Sequence, residues 1–163
     1  MSDTIEIAVT INGRTHRLAV SPRRMLADML REDLHLLGCK IGCDQAVCGA
    51  CTVLVDDLPV TACTTFAFEL DGKAVTTIEG LADGGALDPV QRAFLEHGAF
   101  QCGFCTPGMI MQSIDLLADH PDPSEEDIRH NLEGNLCRCT GYQNIVRAVQ
   151  DAAAALRPTG GAR

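Results

Sequence analysis

The chain is poor in aromatic residues and has no tryptophan: aromatics make up 4% of its 163 residues, with a single tyrosine. Single-stranded nucleic acid is held largely by stacking bases on aromatic rings, so this composition argues against that role. Positive charge is also scarce. Lys and Arg number 13 against 22 Asp and Glu, a formal net charge of −9. Such a balance excludes nucleic acid and anionic membranes better than it names a partner. No stretch approaches the roughly 20 apolar residues of a membrane span. Asp3 and Glu6 stand where a secretory signal would have a basic segment and an apolar run, so a cytoplasmic protein is the expectation. Also missing are a G-x-G-x-x-G after a strand, a phosphate loop and any nucleophile–base pattern. No catalytic residue is therefore assigned, and no flavin or nucleotide is expected on this chain.

Cysteine, in contrast, is plentiful, with nine residues. In a reducing compartment these are expected as metal ligands or buried thiols rather than disulfides. Cys43, Cys48 and Cys51 form C-x4-C-x2-C, and Cys63 follows a short apolar run. That spacing is the plant-type way of holding a 2Fe-2S cluster. Gly42, Gly49 and Ala50 suit a tight curl in which backbone amides approach sulfur closely. No histidine lies within the cysteine groups, which removes a Rieske centre with its two histidine ligands. His16, His35, His97, His120 and His130 are scattered and are expected to be surface or structural residues.

The first half reads as a small mixed sheet. Ile5, Ile7, Val9 and Ile11 alternate along a strand, Asn12-Gly13 supplies a tight hairpin turn, and Leu18 and Val20 share a face of the return. Arg24 to Glu32 has helical spacing, with Met25 and Leu26 followed by Met29 and Leu30. Thr52 to Val60 predicts two short strands turning at Asp56-Asp57, with Pro59 on an edge, and Val75 to Ile78 predicts one more strand. After the Gly-rich stretch at 80–85 the strand signals end. Helices are predicted over Pro89–His97 and Pro107–Asp119, and from Ser124 to about Glu133 behind an S-x-x-D cap. A last helix is predicted behind a T-x-x-Q cap at Thr140, with Ile145, Val149, Ala152 and Leu156 as its core stripe. Residues 157–163 are expected to fray. The fold expected is α+β, a β-grasp domain over 1–81 followed by an all-α domain over 82–163.

The helical half carries a second cysteine set, Cys102 and Cys105 before one predicted helix and Cys137 and Cys139 before another. Helix N-termini favour anionic sulfur through their free amides and dipole. Two short pairs also build structural zinc sites, so spacing alone leaves iron–sulfur and zinc both open here.

The motifs GCDQAVCGACTV at 42–53, QCGFCTPGM at 101–109 and NLCRCTGY at 135–142 resemble those of the iron–sulfur subunit of the molybdenum hydroxylases, the xanthine oxidase family. The resemblance covers about residues 4–156. It implies an electron-transfer subunit of an oxidoreductase whose substrate-converting site is on another chain. One 2Fe-2S cluster would be held by Cys43, Cys48, Cys51 and Cys63 in a ferredoxin-like β-grasp domain. The other would be held by Cys102, Cys105, Cys137 and Cys139 in a four-helix domain. It further implies a large partner subunit carrying molybdopterin with Mo, with Gln101 hydrogen-bonding the pterin and Cys139 on the route from it. A medium subunit carrying FAD and a dimer of heterotrimers are implied as well, with the ferredoxin-type cluster nearer the surface. The rival readings are a stand-alone two-cluster ferredoxin and a zinc-stabilised interaction module. Cys39 departs from the family pattern, which has threonine there; it is read as a small buried thiol, with a ligand swap or redox sensing as alternatives.

Overall fold

A computed structural model describes residues 3–157. The strands β1 (Ile5–Ile11) and β2 (Arg14–Val20) pair antiparallel from Ile5–Val20 to Ile11–Arg14. Between them Asn12 and Gly13 take φ of 50° and 78°, the paired positive angles of a type I′ hairpin. The strands β3 (Thr52–Val55) and β4 (Leu58–Thr61) form a second hairpin around Asp56-Asp57, and β5 (Ala74–Thr76) lies between the hairpins. The sheet order is β2-β1-β5-β3-β4, with β5 parallel to β1 and antiparallel to β3. Pro59 lies on β4, an edge strand, where its missing N–H breaks no ladder.

Across this sheet lies a single helical segment, α1 (Leu26–Asp28) running into a π-helical turn over Met29–Asp33. Its residues Leu26, Ala27, Met29 and Leu30 are fully buried against Ile7, Val9, Ile11, Val53 and Val75. Burying each large aliphatic side chain contributes about 1.5–3 kcal/mol. The helix predicted over 24–32 thus begins later and widens, because Leu34 N–H bonds the Met29 carbonyl, five residues back, at 3.1 Å.

The strand predicted over 75–78 ends at Thr76 instead. Asn12 captures the next residue, accepting from Thr77 N and donating to Thr77 Oγ1, both at 2.9 Å, which draws the chain off the ladder.

The helical half comprises α2 (Pro89–Glu96), α3 (Thr106–Asp119), α4 (Glu125–Asn131) and α5 (Gln143–Leu156). Its core includes Phe94, Met109, Ile110, Ile128, Leu132, Ile145, Val149 and Ala152. Asp88 caps α2, accepting from Val90 N at 2.8 Å. Ser124 and Asp127 form the predicted capping box on α4, with Ser124 Oγ accepting from Asp127 N at 3.2 Å and Asp127 accepting from Ser124 N at 2.9 Å. That helix passes into a 3-10 turn over Leu132–Gly134.

Two expectations for α5 need correction. Its N-cap is Tyr142, in a left-handed conformation with φ of 67°, and the T-x-x-Q cap does not form. Thr140 turns its hydroxyl toward Cys137 instead, and Arg129 donates to the Gln143 side chain at 3.3 Å. Leu156 is exposed, so the core stripe ends before it. Of the stretch expected to fray, residues 158–163 lie outside the described residues, while Arg157 pairs with Asp122. No described helix is long and apolar enough to cross a membrane.

Helix α3 packs on β3 and β4 as well as on α2 and α4, so the two cores meet along it. Gly108, in its first turn, sits against the Gly49 backbone; a Cβ there would run into the Gly49 carbonyl. Gly49 itself has φ of 66°, and a Cβ on it would fall 2.5 Å from the Gly134 carbonyl.

Candidate iron–sulfur sites

The loop from Cys43 to Cys51 curls through three left-handed residues, Asp44, Ala46 and Gly49, with φ of 57°, 56° and 66°. This curl turns the amides of Val47 and Cys48 inward, each donating to Cys43 Sγ at 3.3 Å. Hydrogen bonds from the amides of Gln45, Val47 and Cys48 lower the Cys43 thiol to about 7, which favours the thiolate that a metal ligand must be. The Cys48 side chain lies beside Cys43. Cys51 immediately precedes β3 and Cys63 sits in the 3-10 turn after β4; hairpin pairing brings them together, with Ala62 N bonding the Cys51 carbonyl at 3.3 Å. Both are buried, and burial pushes the Cys51 thiol up to about 12. Cys39 lies behind them, 2% exposed, with Sγ 3.6 Å from the Cys51 carbonyl and its pKa likewise raised to about 12 by burial. That is the small buried thiol expected of it.

The second set assembles at one end of the helical bundle. Cys105 caps α3, its carbonyl accepting from Met109 N at 3.0 Å, so Cys102 and Cys105 do precede a helix N-terminus. Cys137 and Cys139 instead precede the turn Thr140-Gly141-Tyr142 that leads into α5. Cys139 Sγ lies 3.5 Å from Cys102 Sγ, and Cys137 lies beside Cys105.

The thiol environments differ within each pair. The Phe104 amide lowers Cys102, and the contact with Cys102 raises Cys139. Burial pushes Cys105 up to about 12. Burial also opposes ionisation of Cys137, but the Thr140 hydroxyl at 3.0 Å and amide at 3.4 Å outweigh it and hold the thiol low. The Tyr142 hydroxyl accepts from Cys137 N at 2.8 Å and donates to the Asn135 carbonyl at 3.2 Å.

Cys102 and Cys139 are exposed, as are Gln101 just before them and Phe104, Leu136 and Arg138 around them. This cysteine loop lines a shallow cleft of about 160 Å³. Larger hollows run along α4 and contain no cysteine. Two of the histidines pair with carboxylates, His97 beside Asp151 at 3.4 Å and His130 beside Glu133 at 3.6 Å.

Each set therefore presents four thiols as two close pairs, Cys43 with Cys48 and Cys51 with Cys63, then Cys102 with Cys139 and Cys105 with Cys137. Among the described residues no three His, Cys, Asp or Glu side chains close around one metal-ion position. Paired thiols fit a two-iron centre, in which each iron takes two thiolates. The contributions of Asn135, Thr140 and Tyr142 were not read from sequence; all three lie inside the NLCRCTGY motif, but only the cysteines announced a role.

Comparison with known proteins agrees with this geometry. Residues 9–80 match the family described as 2Fe-2S iron-sulfur cluster binding domain, and residues 77–150 match the 2Fe-2S binding domain family. The chain thus carries two 2Fe-2S domains, the first on the β-grasp sheet and the second on the helices.

It is 50% identical, over 93% of its length and 91% of the relative's, to the nicotine 6-hydroxylase small subunit of Paenarthrobacter nicotinovorans. Quinoline 2-oxidoreductase from Pseudomonas putida 86 superimposes with a TM-score of 0.91 at 46% identity, covering 94% of this chain and 96% of that one. The aldehyde oxidoreductase from Desulfovibrio desulfuricans ATCC 27774 superimposes with a TM-score of 0.90 at 45% identity, covering 93% of this chain but 17% of that one. The chain belongs to the small iron–sulfur subunits of the molybdenum hydroxylases, the electron-transfer components of these oxidoreductases.

Proposed function

We propose that Cys43, Cys48, Cys51 and Cys63 hold one 2Fe-2S cluster and Cys102, Cys105, Cys137 and Cys139 the other. We also read the chain as two domains, 1–81 and 82–163, in keeping with its two hydrophobic cores. In this reading the chain relays electrons from molybdopterin on a large subunit to FAD on a medium subunit, within a dimer of heterotrimers in the cytoplasm. Each cluster supplies a one-electron carrier.

The observation that carries the reading is the pairing of Cys102 and Cys139 on an open face, beside exposed Phe104 and Leu136. Exposed apolar residues around a redox group suit a partner surface. The large subunit would cover this face, with Gln101 hydrogen-bonding its pterin and Cys139 on the route from it. The chain's own residues set the ligand environment: amides at Cys43, a hydroxyl at Cys137 and burial at Cys51. Hydrogen bonds and burial of this kind tune a cluster's potential, so the two clusters need not match.

Metal and sulfide analysis with EPR tests the ligand assignment. About four irons and four labile sulfides per chain, with two distinct signals on reduction, are expected; stoichiometric zinc would refute it. Purification separates the subunit from a free carrier, since the subunit travels with a molybdenum-binding chain. Gln101→Ala should keep both signals while slowing cluster reduction by substrate, and an unchanged rate would remove the pterin contact.

A further inference from the structure

The loop that carries Cys137 is fastened to the loop that carries Cys48 by main chain and side chain together. Leu136 N–H donates to the Cys48 carbonyl at 2.9 Å. Asn135, 3% exposed, donates its side-chain amide to the Gly49 carbonyl at 3.0 Å and to Thr52 Oγ1 at 3.4 Å. The Gly49 carbonyl already accepts from Thr52 N at 3.1 Å and from Thr52 Oγ1 at 2.7 Å. Asn135 is therefore not needed to satisfy that carbonyl, and burying a polar amide has a cost of its own. What it achieves is placement: it pins the residue just before Leu136 to the first cysteine loop.

This arrangement has an electronic consequence. From the Cys48 side chain a bonded path runs through its own carbonyl, across a single hydrogen bond to Leu136 N–H, and along the main chain into Cys137. Tunnelling electrons couple more strongly through covalent and hydrogen bonds than across van der Waals gaps, because the wavefunction decays more slowly there. The glycine contact between Gly108 and Gly49 keeps the two halves close beside this path.

We propose that the hydrogen bond from Leu136 N–H to the Cys48 carbonyl is the electronic bridge between the two cysteine sets, with Asn135 as the positioning residue that holds it closed. The proposal rests on the functional reading above. One electron passes from the Cys102–Cys139 set to the Cys43–Cys63 set, so the centre on the first is oxidised by one electron and that on the second reduced by one. No bond is made or broken and no proton crosses, since Leu136 keeps its amide hydrogen.

The test uses the intact complex with two variants that loosen the seam from opposite sides. Asn135→Leu removes the donor at similar volume, and Thr52→Val removes the hydroxyl it meets. Hydrogen exchange at the 134–137 segment, iron content, EPR and the rate of electron transfer between the two centres are measured on both. In Asn135→Leu the Leu136 amide should exchange about five-fold faster, the factor expected for one lost hydrogen bond. Iron content and the two EPR signals should stay as in wild type, and reduction of the helical centre by substrate should be unchanged. Transfer onward to the first centre should slow several-fold, with a smaller effect in Thr52→Val.

Faster exchange with unchanged transfer would overturn the bridge, and so would unchanged exchange and transfer in both variants. A wild-type complex lacking iron at either set would instead overturn the functional reading, and this proposal with it.

Discussion

The two cysteine sets are alike in number and pairing but differ in enclosure. In the β-grasp half, Cys51 and Cys63 are 2% and 4% exposed, because a hairpin folds one over the other and α1 closes the sheet above them. In the helical half, Cys102 and Cys139 are exposed at the end of the bundle, where α3 begins and the turn before α5 bends away. The family resemblance places the ferredoxin-type cluster nearer the surface of a complete complex. In the chain by itself the order is the reverse. A set that is open alone and expected to be deep in a complex is one that, on the proposed function, the large subunit would cover.

The sharpest way to break the comparison is to remove one set at a time. Cys63→Ala should cost the first centre and leave about two of four irons, with the helical EPR signal intact. Cys105→Ala should do the converse. Loss of both signals in either variant would show that the halves do not hold their centres independently.

Core truncation comes next. Leu30→Ala and Ile145→Ala, both at fully buried positions, should each destabilise by about 2–5 kcal/mol. Thermal unfolding followed by each centre's own absorption should show Leu30→Ala acting first on the β-grasp half and Ile145→Ala on the helices. Equal effects on both halves would mean that α3 couples the two cores into one cooperative unit.

Tyr142→Phe is a finer probe. It removes the hydroxyl that joins Cys137 N to the Asn135 carbonyl, a loss of about 1 kcal/mol. The helical EPR signal should shift and that of the first centre should not.

The smallest effect concerns acid. Hydrogen bonds from Ser124 hold the Asp127 carboxyl below its ordinary value of 3.8. A folded-state pKa below the unfolded one stabilises above about pH 4 and loses that contribution as pH falls through the folded value. Melts of Asp127→Ala should therefore differ from wild type at pH 7, and the difference should shrink as the pH falls below about 4. An undiminished difference would show that the ionised Asp127 carboxylate is not what stabilises the cap.

Much of this was legible in the residues. The alternation of Ile7, Val9 and Ile11, the Asn12-Gly13 turn and the Ser124–Asp127 box all appear as the local rules require. Each depends on neighbours within a few positions. The misreadings have the opposite character. Thr140 looked like a helix cap because its spacing to Gln143 was right, yet Cys137 competes for its hydroxyl. The strand at 75–78 stops early because Asn12, remote in sequence, takes Thr77. Leu156 fits the apolar stripe of α5 but lies past the point where the bundle covers it.

By itself the sequence determined the chemistry. The spacing of Cys43, Cys48, Cys51 and Cys63 is that of a plant-type 2Fe-2S site, the motifs around the second set carry the family resemblance that its spacing alone does not, and local periodicity selects a sheet followed by helices. Tertiary structure alone decided how the two sets relate. Which thiol pairs with which depends on folding over Cys51–Cys63, Cys102–Cys139 and Cys105–Cys137. So does the enclosure of one set and the openness of the other. The seam at Asn135, Leu136, Gly49 and Gly108 belongs here too, because a hydrogen bond between residues so far apart in the chain has no local signature. The loop at Cys43–Cys51 is specified by its own residues; what it touches is specified by the fold.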